Sequence, residues 1–417
     1  MKLFTCILCF ALCPAIVLSQ NEPLYLNPDN APGAKASVIF AGADLIPLET
    51  SKASYFTNMK EFIVTPHHFV FLDDASNTVF IFNKQGKFLY RYKKKKYKIE
   101  SIQYLYSKNA LFIKSANKNY TIPKVKAQQM MAMPGKRDFS KYINLDVLHL
   151  DDSARYTIQS LPVPHYAMDR LYYYNGDYLS VNDRYNKYLK DTVAYHLNIV
   201  HDNKVIRSYF PFLNIPKLSS YYSDVSFVIN NTLDDTCVLV QKELDHTIYK
   251  LTPDSLHEAY KFVFTAAHTM PADFYSTLFK NNIDYRTAIN RNNKVIFAFH
   301  NMVEYKDFVF FTAITLASRR NYFVFNSADK KLYDLGKFTT DSAVYFLPPR
   351  IFTSITERDN EYVYTKVSAA DLLREKDKIL SKNEVLPGYI KELLGKLDKF
   401  DNPIIIRLKL QPSTGQK

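Results

Sequence analysis

The chain has 417 residues, 47% of them hydrophobic and 15% aromatic, with 32 Tyr, 30 Phe, no Trp and only 9 Gly. That length can bury one large ring or two ordinary domains, and so little glycine argues against a nucleotide fold built on glycine-rich phosphate loops. The formal net charge of +13 is compatible with acidic glycans or lipid headgroups, whereas no recognised nucleic-acid-binding module is present and nucleic acid is not expected as a partner.

Residues 1–19 read as an export signal: Lys2, an apolar stretch from Leu3 to Leu18, and Val17 and Ser19 three and one positions before a cut at Gln20. A lipid anchor on Cys13 is the alternative, disfavoured by Leu12 where such signals want a small residue. Cleavage removes Cys6, Cys9 and Cys13, leaving Cys237, so no internal disulfide is available and stability must come from a hydrophobic core. Cys237 lies in the strand-like run Thr236–Val240 and is read as a buried, inert thiol. No second segment approaches the length needed to cross a bilayer. The expected location is periplasmic or extracellular.

After an extended segment at 20–37, a strand is expected at 38–48. Residues 61–64, 69–72, 78–82 and 88–92 then alternate with period two and are separated by Asp/Asn/Lys/Gly turns, which makes a four-stranded meander. Lys93–Lys96 and Lys98 fall at a strand end and turn and are read as a solvated loop. Further pairs follow at 111–113 with 120–122, 194–200 with 205–210, and 238–240 with 247–251, then single runs at 295–299, 308–316 and 322–325. Six blades would share about 66 residues each, more than a compact blade of roughly 40–50 needs, so insertions are expected at 123–142, 271–289 and 368–399. The last has Leu372, Leu373, Ile379, Ile390, Leu393 and Leu394 at helical spacing, a start at Ser368 with Asp371, and a break at Pro387-Gly388. A final strand, 404–410, should pair with 38–48, because a ring leaves no open edge if its two ends share one sheet.

The runs Asp44–Thr50, Val70–Asp73, Val79–Leu89, His196–Ile199, Asp245–Leu251 with Pro253–Leu256, and Asp401–Ile406 together resemble the exported bacterial six-bladed β-propeller proteins related to the NHL-type propellers. The resemblance covers nearly all of the mature chain and implies an all-β fold: six four-stranded antiparallel blades over 38–411, short helical insertions, closure by the two terminal strands, and a disordered tail at 412–417. One departure stands out. The Gly-Pro-Gly-Glu-Tyr turn common after the first blade of that family is replaced by Lys94–Glu100, so no role tied to that turn carries over.

Chemistry is harder to read. His67 and His68 face opposite sides of a strand and cannot chelate together, the other histidines are isolated, and the acidic pairs Asp73-Asp74, Asp151-Asp152 and Asp234-Asp235 lack the pattern of a calcium loop. No metal and no other cofactor is expected, and catalytic residues are unknown. The most suggestive surface is Tyr172, Tyr173, Tyr174 and Asp177, continued by Arg184 and Tyr185, echoed by Tyr221 and Tyr222, with Arg350 as an anion contact. Tyrosine offers a flat apolar face and a hydroxyl, which suits sugar rings or peptide side chains; alternation along strands gives the same letters. The expected function is a monomeric, non-catalytic module binding a glycan, a peptide or an envelope protein. The alternative is a propeller hydrolase or lyase with a metal or acid/base site in the central channel. Three or more carboxylates or imidazoles converging on the axis would favour that enzyme.

Overall fold

A computed structural model describes residues 22–120, 138–150, 156–166, 170–182, 193–213, 227–231, 233–242, 244–271, 282–382 and 386–412. The expected export signal with its three cysteines and residues 413–417 lie outside the described residues. Two strands come first, β1 (Leu24–Leu26) and β2 (Phe40–Pro47). Blade 1 is the meander β3 (Met59–Val64), β4 (His68–Asp73), β5 (Thr78–Asn83) and β6 (Phe88–Lys93). Blade 2 is β7 (Tyr97–Leu105), β8 (Ala110–Asn117), β9 (Ile143–His149) and β10 (Thr157–Leu161). Blade 3 is β11 (Arg170–Tyr174), β12 (Asp177–Val181), β13 (Val193–His201) and β14 (Lys204–Leu213). Blade 4 is β15 (Phe227–Asn231), β16 (Val238–Lys242), β17 (Thr247–Leu251) and β18 (Leu256–Phe264). Blade 5 is β19 (Ile296–Tyr305), β20 (Phe308–Thr315), β21 (Arg320–Asn326) and β22 (Lys331–Asp334).

Blade 6 closes the circle. It contains β23 (Glu357–Arg358), β24 (Val363–Val367) and β25 (Ile404–Leu410), and β2 joins as its outermost strand. The pairing is antiparallel from Phe40 opposite Leu410 to Pro47 opposite Ile404, as the sequence predicts. Asn402 reinforces it by donating to the carbonyls of Glu49 (2.8 Å) and Ser54 (3.0 Å).

Among the described residues six apolar clusters hold the ring, one between each pair of neighbouring blades. Phe69, Phe71 and Phe82 of blade 1 meet Tyr364 and Ile405 of blade 6, for example, and Phe262 and Phe264 of blade 4 meet Phe299 and Phe311 of blade 5. This is where the abundant Phe goes: a blade buries both faces, so its strands need bulky flat side chains on alternate positions. The helices Ala369–Arg374, Lys376–Leu380 and Gly388–Lys396 pack Leu372, Ile379, Ile390 and Leu394 onto the cluster between blades 5 and 6. Ser368 caps the first of them, its hydroxyl accepting from Asp371 N at 3.1 Å.

Two features were not foreseen. The partner expected for 111–113 is not 120–122, since β8 has β7 on one edge and β9 on the other; residues 121–122 lie outside the described residues. The extended N-terminal segment is also a working part of the ring. It lays β1 parallel to β18 on blade 4, passes blade 5 through bonds of Asp334 N to Pro32 O and Thr339 N to Ala34 O (both 2.9 Å), and enters blade 6 as β2. Cys237 is buried and in no disulfide.

Candidate functional site

The innermost strands of a propeller splay around the axis too far apart for backbone pairing, so their edge N–H groups need other acceptors. Here side chains supply them. Glu357 Oε2 of β23 accepts from Val64 N of β3 (3.2 Å), and Glu61 Oε2 of β3 accepts from Ile102 N of β7 (2.8 Å). Gln103 of β7 takes Tyr173 N and returns a bond to Tyr173 O on β11, both at 2.8 Å. Gln241 of β16 accepts from Phe299 N of β19 at 3.2 Å. One carboxylate or amide thus laces each of these blades to the next.

Lacing draws charge to the axis. A cavity of about 400 Å³ there is lined by Glu61, Glu304, Glu357, Arg358, Lys366 and Tyr172, among others. Enclosure by protein pushes the Glu357 carboxyl up to about 8, against which Val64 N–H, Lys366 and Lys84 act. The same desolvation raises Glu61 and lowers Lys366 to about 8. Lys366 sits 5.2 Å from the Phe62 ring centroid, a cation–π contact. Glu304 Oε1 accepts from the Tyr260 hydroxyl at 2.5 Å. Three carboxylates therefore line one cavity, but among the described residues no three His, Cys, Asp or Glu side chains are grouped so as to hold a metal ion.

A second cavity, about 380 Å³, adjoins the first through Tyr106 and Leu233. Turns leaving the inner strands of blades 1, 2, 4 and 6 gather at this mouth. Asp235 crosses between two of them, accepting from Tyr106 N and Ser107 N (both 2.7 Å) and from the Ser107 hydroxyl (2.6 Å). The walls carry Tyr106, Tyr362 and Tyr364 with Lys84, Asp359 and Arg407. Charges here are matched in pairs: Lys84 with Asp359 at 3.1 Å and Arg407 with Asp44 at 2.9 Å. Arg407 also stacks 4.5 Å from the Tyr362 centroid.

The residues singled out from sequence go to different places. Tyr172 lines the central cavity. Tyr173 is buried between blades 2 and 3, its hydroxyl accepting from Lys108 Nζ at 2.6 Å, and Tyr174 is buried between blades 3 and 4. Asp177 accepts from His201 Nδ1 at 2.5 Å, which raises the His201 pKa. Arg350 reaches Glu375 at 3.5 Å and the Asp371 carbonyl at 3.3 Å, tying down a helix, and lines neither cavity. Arg184, Tyr185, Tyr221 and Tyr222 lie outside the described residues. Sequence reasoning missed Glu61, Glu304, Glu357, Arg358 and Lys366. Charged letters inside apolar strand runs, Glu61 before Phe62-Ile63-Val64 and Lys366 within Val363–Val367, were the available signal.

A family model described as a 6-bladed beta-propeller, DUF5128, matches residues 20–365. A search of the curated proteins finds no match. Among solved structures, a Bacteroides fragilis protein described as exported is similar with TM-score 0.60 at 15% identity, covering 93% of this chain and 99% of that one. A Bacteroides vulgatus member of the duf4221 family (TM-score 0.42, 9% identity, 89% and 98% covered) and a luciferin-regenerating enzyme (0.35, 9%, 88% and 95%) are also similar. At these identities the likeness concerns the fold. Among the described residues no helix is long and apolar enough to cross a membrane.

Proposed function

From the premise that this chain belongs to the DUF5128 family of six-bladed β-propellers, we propose that it is an exported binding protein that takes a glycan at the mouth of its central channel. The observation that carries this reading is the mouth itself: Tyr106 and Tyr362 beside ion pairs that are already balanced. Aromatic faces suit the C–H faces of a sugar ring, and paired Lys–Asp and Arg–Asp groups offer donors and acceptors to hydroxyls without demanding a ligand charge. Residues 1–19 would direct the chain to the periplasm or beyond, where it would act as a monomer. The test is a glycan array on the purified mature chain, followed by calorimetry on any hit. Tyr362→Ala should weaken binding at least 10-fold while the chain still unfolds cooperatively; no glycan hit, or equal binding by the variant, defeats the reading.

The three channel carboxylates favour a second reading, an acid/base enzyme. Against it, one oxygen of each is committed, to Val64 N, to Ile102 N or to the Tyr260 hydroxyl. Each carboxylate thus has a structural use in holding neighbouring elements together.

A further inference from the structure

The mouth pairs its charges directly; the cavity behind it, lined by Lys60, Arg358 and Lys366 with Glu61, Glu304 and Glu357, leaves two cations without a bonded partner among the described residues. Arg358 lies on β23 and Lys366 on the neighbouring strand β24, and both line the 400 Å³ cavity. Among the described residues neither head group makes a hydrogen bond or an ion pair; Lys366 has only the Phe62 ring 5.2 Å away. A guanidinium with five donors and an ammonium with three, facing a cavity and bonded to no protein acceptor among the described residues, are available to an anion that enters. The carboxylates act on them only at longer range, Glu304 and Asp359 on Arg358 and Glu357 on Lys366, and each of the three cavity carboxylates is bonded elsewhere. Glu357 accepts from Val64 N, Glu61 from Ile102 N and Glu304 from Tyr260. Burial also favours the neutral form of Glu357, the acid whose charge acts on Lys366.

We propose that the central cavity is the subsite for the carboxylate of an acidic sugar, received by the Arg358 guanidinium and the Lys366 ammonium. This rests on the glycan reading of the mouth and deepens it. The two cavities share Tyr106 and Leu233, so a ligand whose neutral rings lie against the tyrosines can pass a uronic acid unit inward. About 400 Å³ falls within the size range of small-molecule sites. Arginine is the side chain best shaped for this, since its planar fork meets both oxygens of a carboxylate. The mouth grips hydroxyls; the channel reads the acid.

Calorimetry on the full mature chain with an oligogalacturonate trimer and its fully methyl-esterified counterpart tests this directly. The acid should bind at least 10-fold more tightly than the ester, and the difference should shrink as salt rises. Arg358→Gln and Lys366→Met should each bring acid and ester within about two-fold of one another while leaving ester binding intact, which shows that the variants still fold. Equal binding of acid and ester by the wild type, or a preference that survives Arg358→Gln, overturns the subsite and leaves the mouth reading standing. Failure of every neutral glycan and of the ester defeats the mouth reading. A peptide that binds through its terminal carboxylate, and loses binding in Arg358→Gln, overturns the sugar assignment.

Discussion

Glu357→Gln isolates the cost of enclosing a carboxyl at the axis. Glutamine keeps an oxygen for Val64 N–H, so the lace between blades 6 and 1 survives while the ionisable group is lost. In the folded chain burial raises this acid from 4.5 to about 8. Between those values the native state holds one more proton than the unfolded chain, so stability falls as pH rises through that window. The full difference corresponds to roughly 5 kcal/mol, a ceiling, because Glu357 faces a cavity large enough for water and effective interior dielectrics lie nearer 20 than 4; about 2 kcal/mol is expected. Lys366, whose pKa burial lowers to about 8 and the Glu357 charge raises, is coupled to this group, so both arms of the comparison carry Lys366→Met. Urea unfolding of the Lys366→Met chain with and without Glu357→Gln at pH 5 and pH 8 measures the effect. The Glu357→Gln variant should exceed its parent by less than about 1 kcal/mol at pH 5 and by about 2 kcal/mol at pH 8. The same difference at both pH values, or a less stable variant at pH 8, would show that the carboxyl is charged and well solvated.

Asp235→Ala should cost about 2–4 kcal/mol in the same assay, because it strips acceptors from two backbone N–H groups and a hydroxyl; amide exchange at Tyr106 and Ser107 should quicken, and unchanged protection there would refute the bridging role. Gly86→Ala and Gly176→Ala make a matched pair. Both glycines have positive φ, +83° and +87°, but a methyl at 86 would stand 2.1 Å from Pro47 O while at 176 nothing lies within 4 Å. The expected melting-temperature loss is modest at 176, where the backbone cost is about 1 kcal/mol, and clearly larger at 86. Equal losses would argue that the turn at 86 shifts freely.

The blades were legible because their signals are local. Val70–Leu72 and Val79–Phe82 alternate, and Asn77 turns between them with φ +53°, so strand, turn and register could be read from neighbours in sequence. Closure was legible because Ile404–Leu410 is too apolar to be an open edge. The axis was not. Glu357-Arg358 is a strand of two residues, too short to show any period, and its neighbours in space come from blades 1 and 5. Buried charge there follows from six inner strands converging without backbone pairing, which no window of sequence records. The tyrosine run 172–174 misled for the converse reason: alternation and depth along one strand sent its members to a channel wall and two different blade interfaces.

The closing pairs have a temporal consequence. Glu49 and Asn402, whose bond locks the last blade, are 353 positions apart, so the ring cannot shut until nearly the entire polypeptide has been made. Until then β2 is an unsatisfied edge, and every truncated or stalled product carries it exposed. Loop closure over such a span is slow compared with hairpin formation. An immature chain will therefore hold formed blades in an unsealed arc, the form most vulnerable to proteases and to pairing with another copy.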